Sequence, residues 1–121
     1  MKQQSRSIAI ASFECLESGS TAPLGERVTP KLKAQIEKEI ADMKNHGETV
    51  EFRNLCVRSL EFVLARKNPA EFSARVFMHA QRRILINGLP TQKDSDVMPF
   101  NILLNFVAQD ERFKLDELDR G

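Results

Sequence analysis

The sequence predicts a mainly α-helical protein, and three observations support that prediction. Apolar residues recur at intervals of three and four along successive stretches, as on the buried side of a helix. A residue that caps helices precedes proline at Thr29-Pro30 and again at Asn68-Pro69. Glycine follows the first stretch at Gly47 and a later one at Gly88, as it commonly does where helices end. We therefore expect four helices and at most one short strand per chain.

Composition and charge exclude several functional classes. The 121 residues are 41% hydrophobic and 29% charged, a balance typical of one globular domain. Eighteen Lys and Arg against seventeen Asp and Glu leave a net charge of +1, which excludes a polycationic nucleic-acid binder. All eight aromatic residues are Phe, so a carbohydrate platform of Trp or Tyr is not expected. The sequence has no run of about eighteen apolar residues, and we expect no membrane span.

Residues 1–20 are expected to form an N-terminal arm or a short strand. Ile8 and Ile10 alternate with smaller residues over Ser7–Phe13, which is the period of a strand. A short stretch containing Ser, Gly and Pro follows at residues 18–25 and separates this segment from the first firm element.

The first helix is predicted from about Pro30 to His46. Thr29 is its N-cap, and Gly47 follows its end. Proline suits the first helical position, because the N–H that it lacks would have no partner there. Its buried side is a stripe at intervals of four, four and three: Leu32, Ile36, Ile40 and Met43.

The second helix is predicted from Thr49–Glu51 to about Arg66. Its buried face consists of apolar residues at helical spacing: Phe52, Leu55, Cys56, Leu60, Val63 and Leu64. Cys56 is interpreted there as a small apolar residue of the core.

Two more helices are predicted toward the C-terminus. The third opens on the capping box Asn68-Pro69-Ala70-Glu71 and ends at Gly88-Leu89-Pro90. A polar loop over residues 91–96 leads to a fourth helix from about Pro99, and residues 110–121 form an acidic tail. The apolar residues assigned to the two helices are Phe72, Val76, Phe77, Ala80, Ile84 and Leu85, then Phe100, Leu103, Leu104 and Val107.

The run Arg27–Ile36, followed by Gly47 and then Phe52–Leu64, resembles the ribbon-helix-helix family over about forty residues. The resemblance implies a homodimer in which two strands pair antiparallel and read the major groove of DNA. It also implies that the start of the second helix holds a phosphate. The strand is either short and centred on Arg27 or supplied by Ser7–Phe13. The family includes plasmid and phage repressors, antitoxins and relaxosome accessory proteins.

The resemblance divides the chain into three parts. Residues 1–20 are the arm or short strand, 21–67 the ribbon-helix-helix-like DNA-binding unit, and 68–121 a helical part for oligomerisation or partner binding. Charge is also uneven along the chain: residues 1–88 hold fourteen Lys and Arg against ten Asp and Glu, and residues 89–121 hold four against seven, as expected of a basic body with an acidic end.

Arg27, Lys31, Lys33 and Arg53 are the candidate DNA contacts. Arginine at the end of a strand can bind guanine O6 and N7 together, which implies base reading by Arg27. Lys31, Lys33 and Arg53 lie near helix starts, where phosphate contacts are expected. The alternative is a basic helix start exposed to solvent.

The sequence predicts no enzyme, cofactor or metal site. It has no Gly-rich phosphate loop, nucleophile elbow or paired-His motif. His46 and His79 fall on separate predicted helices, and with Cys15 and Cys56 they match no ligand spacing. Two cysteines without a disulfide pattern fit a reducing cytoplasm.

Two functions are therefore carried forward. The first is a sequence-specific DNA-binding homodimer or homotetramer, acting as a repressor or as an accessory factor in plasmid or phage DNA handling. A protein partner could bind through its C-terminal helices. The alternative is a non-enzymatic, all-helical protein-interaction module, an adaptor or an inhibitor of a partner protein.

Overall fold

The protein is described by a computed structural model over residues 2–63, 71–90, 98–109 and 112–119. Those ranges hold two helices followed by five strands. The elements are α1 (Lys2–Ser18), α2 (Pro30–Asn45), β1 (Glu48–Val63), β2 (Glu71–Ile86), β3 (Leu89–Pro90), β4 (Met98–Gln109) and β5 (Arg112–Asp119).

The strands form one antiparallel sheet in the order β1-β2-β4-β5, and the short β3 pairs with the end of β2. The register places Val50 opposite Ile84 and Val76 opposite Ile102. Because β1 and β2 pair along most of their length, residues 48–63 and 71–86 belong to a single sheet.

One face of the sheet, here called the inner face, is covered by the two helices. Side chains alternate between the faces of a strand, and the inner-facing residues of β2 and β4 are buried: Ala74, Val76, Met78, Ala80, Ile102, Leu104 and Phe106. They share one core with apolar residues of α1 and α2, including Ile8, Phe13, Leu32, Ile36 and Ile40. The opposite face, the outer face, carries the alternate residues of the same strands, which are only partly buried.

The helix predicted at Pro30–His46 is confirmed as α2. The Leu32 amide donates to Thr29 Oγ1 at 3.3 Å, so Thr29 caps the helix as expected. Leu32, Ile36 and Ile40 are buried, and Gly47 follows with a φ of 64°. Local signals were sufficient for this element.

The predicted mainly α-helical fold class is wrong. The helices expected over Thr49–Arg66, after Glu71 and from Pro99 are the strands β1, β2 and β4. Residues four apart lie on one side of a helix, and because four is an even number they also lie on one face of a strand. Phe72, Val76 and Ala80 are spaced in this way. The expected capping residues Asn68-Pro69 and the loop at 91–96 lie outside the described residues.

The turn at Asn87 and Gly88 favours a hairpin at the end of β2 rather than the end of a helix. Asn87 and Gly88 have φ values of 52° and 81°, and Ile86 pairs with Leu89 across them. An Asn-Gly pair with positive φ at both positions is the preferred two-residue hairpin turn. The sequence prediction took the same glycine as the end of a helix.

Residues 7–13 are helical and belong to α1, which corrects the expected arm or strand. Ser5, Ile8, Ala9, Ser12 and Cys15 are buried at helical spacing. Ser12 Oγ donates to the Ala9 carbonyl at 2.7 Å, so a polar residue enters the core with its hydroxyl satisfied. Two serines in the stripe hid the helical period.

The segment before α2 excludes a ribbon-helix-helix unit. Val28 forms a parallel bridge with Leu115 of β5, the Thr29 amide donates to the Leu115 carbonyl at 2.9 Å, and the Leu115 amide donates to the Arg27 carbonyl at 2.8 Å. The backbone that would pair with a second copy is thus bonded within the chain. The expected second helix is β1, so the all-α and ribbon-helix-helix assignments are both corrected.

Within the described residues, neither helix is long and apolar enough to cross a membrane.

Candidate functional site: an apolar cavity between the helices and the sheet

A cavity of about 550 Å³ lies between the two helices and the inner face of the sheet. Its size is within the range of pockets that bind small molecules or side chains. Its walls come from α1, α2, β1, β2 and β4, and most are apolar: Phe13, Leu16, Met43, Val50, Phe52, Ala80, Ile84, Met98, Pro99 and Phe100.

Three phenylalanines from three elements form one wall of this cavity. Phe13 of α1 is buried, and its ring meets Phe52 of β1 edge to face at a centroid distance of 5.1 Å. Phe100 of β4 meets Phe13 in the same manner at 5.6 Å. Edge-to-face pairs at these distances are attractive beyond the area they bury. The wall is therefore held by contacts that do not depend on a ligand.

The polar residues of the cavity are Glu39, Glu48 and Arg82. A shallower groove next to it shares Glu39, Met43 and Glu48 and adds Gln35, Lys38, Asp42 and His46. Taken together, the described residues of the two openings carry three carboxylates, Glu39, Asp42 and Glu48, and two cations, Lys38 and Arg82. The mouth is therefore mildly acidic around an apolar interior.

Apolar surface continues from the cavity to the outside of the molecule. Ile84 lines the cavity, and the next inner-facing residue on β2, Ile86, is 46% exposed. Leu89 lies opposite Ile86 and is 71% exposed, while Met98, opposite Ala80, is 56% exposed. We call Ile86, Leu89 and Met98 the apolar rim. Large apolar side chains grouped at the opening of a cavity are typical of an interaction site.

The four residues predicted to contact DNA lie outside this cavity. Arg27 donates to Ser7 Oγ at 2.9 Å and to the Pro23 and Leu24 carbonyls at 2.7 and 3.2 Å. Its guanidinium thus ties the loop before α2 to α1. Lys33 is exposed on α2, and Arg53 is exposed on the outer face of β1. The structure therefore places Arg27, Lys31 and Lys33 around the start of α2 and Arg53 on a different element.

Lys31 is bound to acidic residues of β5. Its Nζ lies 3.1 Å from Asp116 Oδ2 and 3.5 Å from Glu117 Oε1. The hydrogen bond that Lys31 donates to Asp116 and the two nearby negative charges raise the pKa of Lys31 above its ordinary value of 10.5. Asp116 also accepts a hydrogen bond from Thr29 Oγ1 at 2.9 Å, so it joins β5 to the N-cap of α2.

Sequence reasoning missed a Cys–His pair on the outer face. The register of β1 and β2 sets Cys56 opposite His79, with Cys56 Sγ 2.8 Å from His79 Nε2. Both residues had been assigned to separate helices. No spacing in the sequence could have revealed the contact, because two irregularities of register in β1 determine it.

Among the described residues that line the cavity, Glu39 and Glu48 are the possible acids or bases, and none is a His, Cys, Ser or Asp. Within the described ranges no three His, Cys, Asp or Glu side chains are grouped to hold a metal ion. The arrangement is suited to holding an apolar group by contact and exclusion of water.

Comparison with known proteins supports the fold alone. No family model and no curated protein matches the sequence. Among solved structures, a de novo designed beta-sheet protein aligns at 12% identity over 98% of this chain and 85% of its own, with a TM-score of 0.52. The intermembrane space region of the chloroplast protein ARC6 aligns at 17% identity over 95% of this chain and 88% of its own, with a TM-score of 0.56.

These two structures are similar to the chain in architecture, and at such identities they say nothing about its activity. An NTF2-like design also aligns, at 14% identity over 99% of this chain and 98% of its own, with a TM-score of 0.45. The described elements themselves define the fold class, an antiparallel sheet carrying helices on one face.

Proposed function

We propose that this chain is a non-catalytic protein-interaction domain that takes an apolar segment of a partner protein into the cavity on its inner face. The observation that carries the proposal is an apolar cavity that includes the exposed Met98, together with the exposed pair Ile86 and Leu89 that follows its lining residue Ile84 on the same face. A cavity for a small molecule alone does not need an exposed apolar rim. An amphipathic helix laid into a groove needs both parts, because several of its side chains are buried along one line.

Charge favours a basic partner over an acidic one. Glu48 lies where the cavity and the adjacent groove meet, and the combined mouth carries one more carboxylate than cations. Surface charge pairs contribute little each, so apolar burial supplies most of the affinity and charge sets the preference.

DNA binding by the chain as a whole stays a prediction, without the ribbon-helix-helix unit on which it rested. Arg27 and Lys31 are held in contacts within the chain, which does not favour them as DNA ligands. The cytoplasm is retained as the proposed compartment, since the two cysteines lie on opposite sides of the sheet and do not bond to each other.

The experiment is a titration of the purified chain with two labelled synthetic peptides, followed by fluorescence anisotropy. Both peptides form the same amphipathic helix with leucine on one side, and the other side carries lysine in one and glutamate in the other. We expect the Leu/Lys peptide to bind more tightly than the Leu/Glu peptide. Light scattering beforehand gives the mass of the free chain, which tests the expected homodimer or homotetramer.

A cavity-filling variant locates the binding. Ala80 is 5% exposed and lines the cavity, whereas Gln81, the next residue on β2, faces the outer side. Ala80→Leu should weaken the Leu/Lys peptide by about ten-fold or more, because its side chain occupies the space that the ligand needs. Gln81→Leu introduces the same side chain into the same strand and should leave binding unchanged.

A charge variant tests the preference for a basic partner. Glu48→Gln should weaken the Leu/Lys peptide by about two- to five-fold and should not weaken the Leu/Glu peptide. Glu51→Gln, on the outer face of the same strand, is the matched control. Equal binding of both peptides by the wild type and by Ala80→Leu would overturn the proposal. Binding of a neutral apolar dye but of neither peptide would overturn it too, in favour of a small-molecule site.

A further inference from the structure

The outer face of the sheet carries a thiol in contact with an imidazole. Cys56 Sγ lies 2.8 Å from Nε2 of His79 and 3.7 Å from its Nδ1. Both residues are partly buried, so the sulfur is neither sealed in the core nor fully exposed. This pair is on the opposite side of the sheet from the cavity and is independent of the function proposed above.

The backbone of β1 is irregular on both sides of Cys56. The register with β2 shifts between Arg53 and Cys56 and again between Val57 and Ser59. Asn54, within the first shift, has a φ of 56°, a left-handed conformation that is uncommon outside glycine. Bulges of this kind redirect a side chain, and they are frequent next to functional sites. Here they bring Cys56 to face His79 directly.

A groove of about 500 Å³ lies beside the pair on the same face. It is lined by Ser59 and Phe77, which pair across β1 and β2, by Pro99, which pairs with His79, and by Arg58 and Asn101. Arg58 is exposed at its edge, and a guanidinium is suited to binding a carboxylate. The groove therefore offers a cation and an apolar wall on the residues that follow Cys56 along β1 and that pair with His79.

We propose that Cys56 is a site of thiolation by a small anionic disulfide such as glutathione disulfide, with His79 as the general base. The thiol proton passes to His79 Nε2 as the sulfur attacks one sulfur of the disulfide. The disulfide bond of the reagent breaks and a new one forms to Cys56. The departing thiolate takes the proton from the imidazolium and leaves as glutathione. The disulfide is the only oxidant, and atoms and charge balance.

The chain contains its own control for this reaction. Cys15, the other cysteine, is fully buried on α1, so its thiol is closed to the reagent while the protein is folded. Incubation with glutathione disulfide followed by intact-mass and peptide mass spectrometry should show one glutathione per chain, on Cys56. Cys15→Ser should react as the wild type does, and Cys56→Ser should not react.

The role of His79 is tested by rate. His79→Ala should slow thiolation of Cys56 by about ten- to hundred-fold, and added imidazole should restore part of the lost rate. Rescue by a free base is not expected of a purely structural histidine. The wild-type chain unfolded in urea gives a reference that needs no variant, and Cys56 should react faster in the folded chain.

The role of Arg58 is tested with two reagents. Arg58→Gln should slow the reaction with glutathione disulfide by about two- to five-fold and leave that with neutral hydroxyethyl disulfide unchanged. Equal rates for folded and unfolded wild-type chain would overturn the proposal. So would a slow His79→Ala variant that imidazole does not rescue, or an adduct on Cys15 of the folded chain.

Discussion

The two ends of the inner face use phenylalanine in opposite ways. At one end, here called the aromatic end, Phe72 stacks on Phe106 at 4.6 Å and meets Phe113 and Phe62 edge to face at 4.8 and 5.8 Å. At the other, the cavity end, Phe13, Phe52 and Phe100 surround about 550 Å³ of space. Rings pack against rings at the aromatic end, and they line an opening at the cavity end.

From that difference we expect the aromatic end to contribute most to stability and the cavity end to bind a ligand, although Phe62 and Phe113 of the aromatic end are themselves 39% and 41% exposed. Protein interiors are close-packed and contain few voids larger than a water molecule. If stability were the only requirement, side chains would fill the space beside Phe52. They do fill the space beside Phe106, which is 2% exposed. The comparison therefore predicts that substitutions at the aromatic end affect stability most and that those at the cavity end affect binding.

The largest expected effect is that of Phe106→Ala. This side chain is buried against Phe72, so its removal leaves a cavity, and we expect a loss of about 3–5 kcal/mol in the free energy of unfolding. Phe52→Ala is the matched change at the cavity end, where the ring is only partly buried, and should cost about 1–2 kcal/mol. Urea denaturation measures both. Equal losses would remove the distinction between the two ends.

A smaller effect is expected at the turn that leads from α2 into the cavity end. Gly47 has a φ of 64°, and a Cβ there would collide with the side-chain amide of Asn87, whose backbone N–H donates to the Gly47 carbonyl at 2.7 Å. Gly47→Ala should therefore destabilise the protein by about 1–3 kcal/mol.

Gly88→Ala separates the two causes of that loss. Gly88 also has a positive φ, of 81°, but a Cβ added there would have no other atom within 4 Å. Its substitution therefore has only the free-energy cost of the backbone conformation. Thermal or urea unfolding of both variants should show the greater loss for Gly47→Ala. If Gly88→Ala were as destabilising as Gly47→Ala, the collision with Asn87 would add nothing to the loss of stability.

The smallest effect concerns the exposed ion pair of Lys31 with β5. The hydrogen bond to Asp116 raises the pKa of Lys31, and a cation whose pKa is higher in the folded state stabilises that state while it is protonated. The contribution is complete below pH 10.5, the ordinary pKa, and is lost as the pH rises through the folded-state value. Lys31→Met should lower the melting temperature slightly at about pH 8 and not at about pH 11.5.

Lys33→Met provides the control for net charge, because Lys33 is exposed on the same helix. Its effect should be no greater than that of Lys31→Met at about pH 8. A difference between wild type and Lys31→Met that persisted unchanged at about pH 11.5 would show that the methylene chain of Lys31, not its charge, makes the contribution.

The sequence was informative wherever the signals were local. The local signals for α2 are the cap Thr29, Pro30, a stripe of buried residues and Gly47. All of them lie within the helix or at its ends, and the helix forms where they predict it. The prediction failed for β1, β2 and β4 because strands are stabilised by partners far along the chain. Asn87-Gly88 was the one short-range hairpin signal in the sequence, and its weight was underestimated.

The candidate site was beyond prediction from the sequence for a related reason. The cavity is assembled from five elements, so no stretch of the chain contains it. Cys56 and His79 are 23 residues apart and meet only because two bulges in β1 adjust the register. The segment around Arg27 was one of two candidates for a ribbon strand that pairs with a second copy, but Val28 forms a single bridge with Leu115 of β5 in the same chain.

The sequence by itself determined one helix, a hydrophobic share of 41% and a net charge of +1. Caps and periodicity act within a few residues, and composition does not depend on the order of the residues. The tertiary structure alone decided that the remaining apolar segments pair as strands and that two helices cover one face. It also left space at one end of that face. Pairing, covering and cavity formation depend on residues distant in the chain, and their energies exceed the local preferences that the sequence displays.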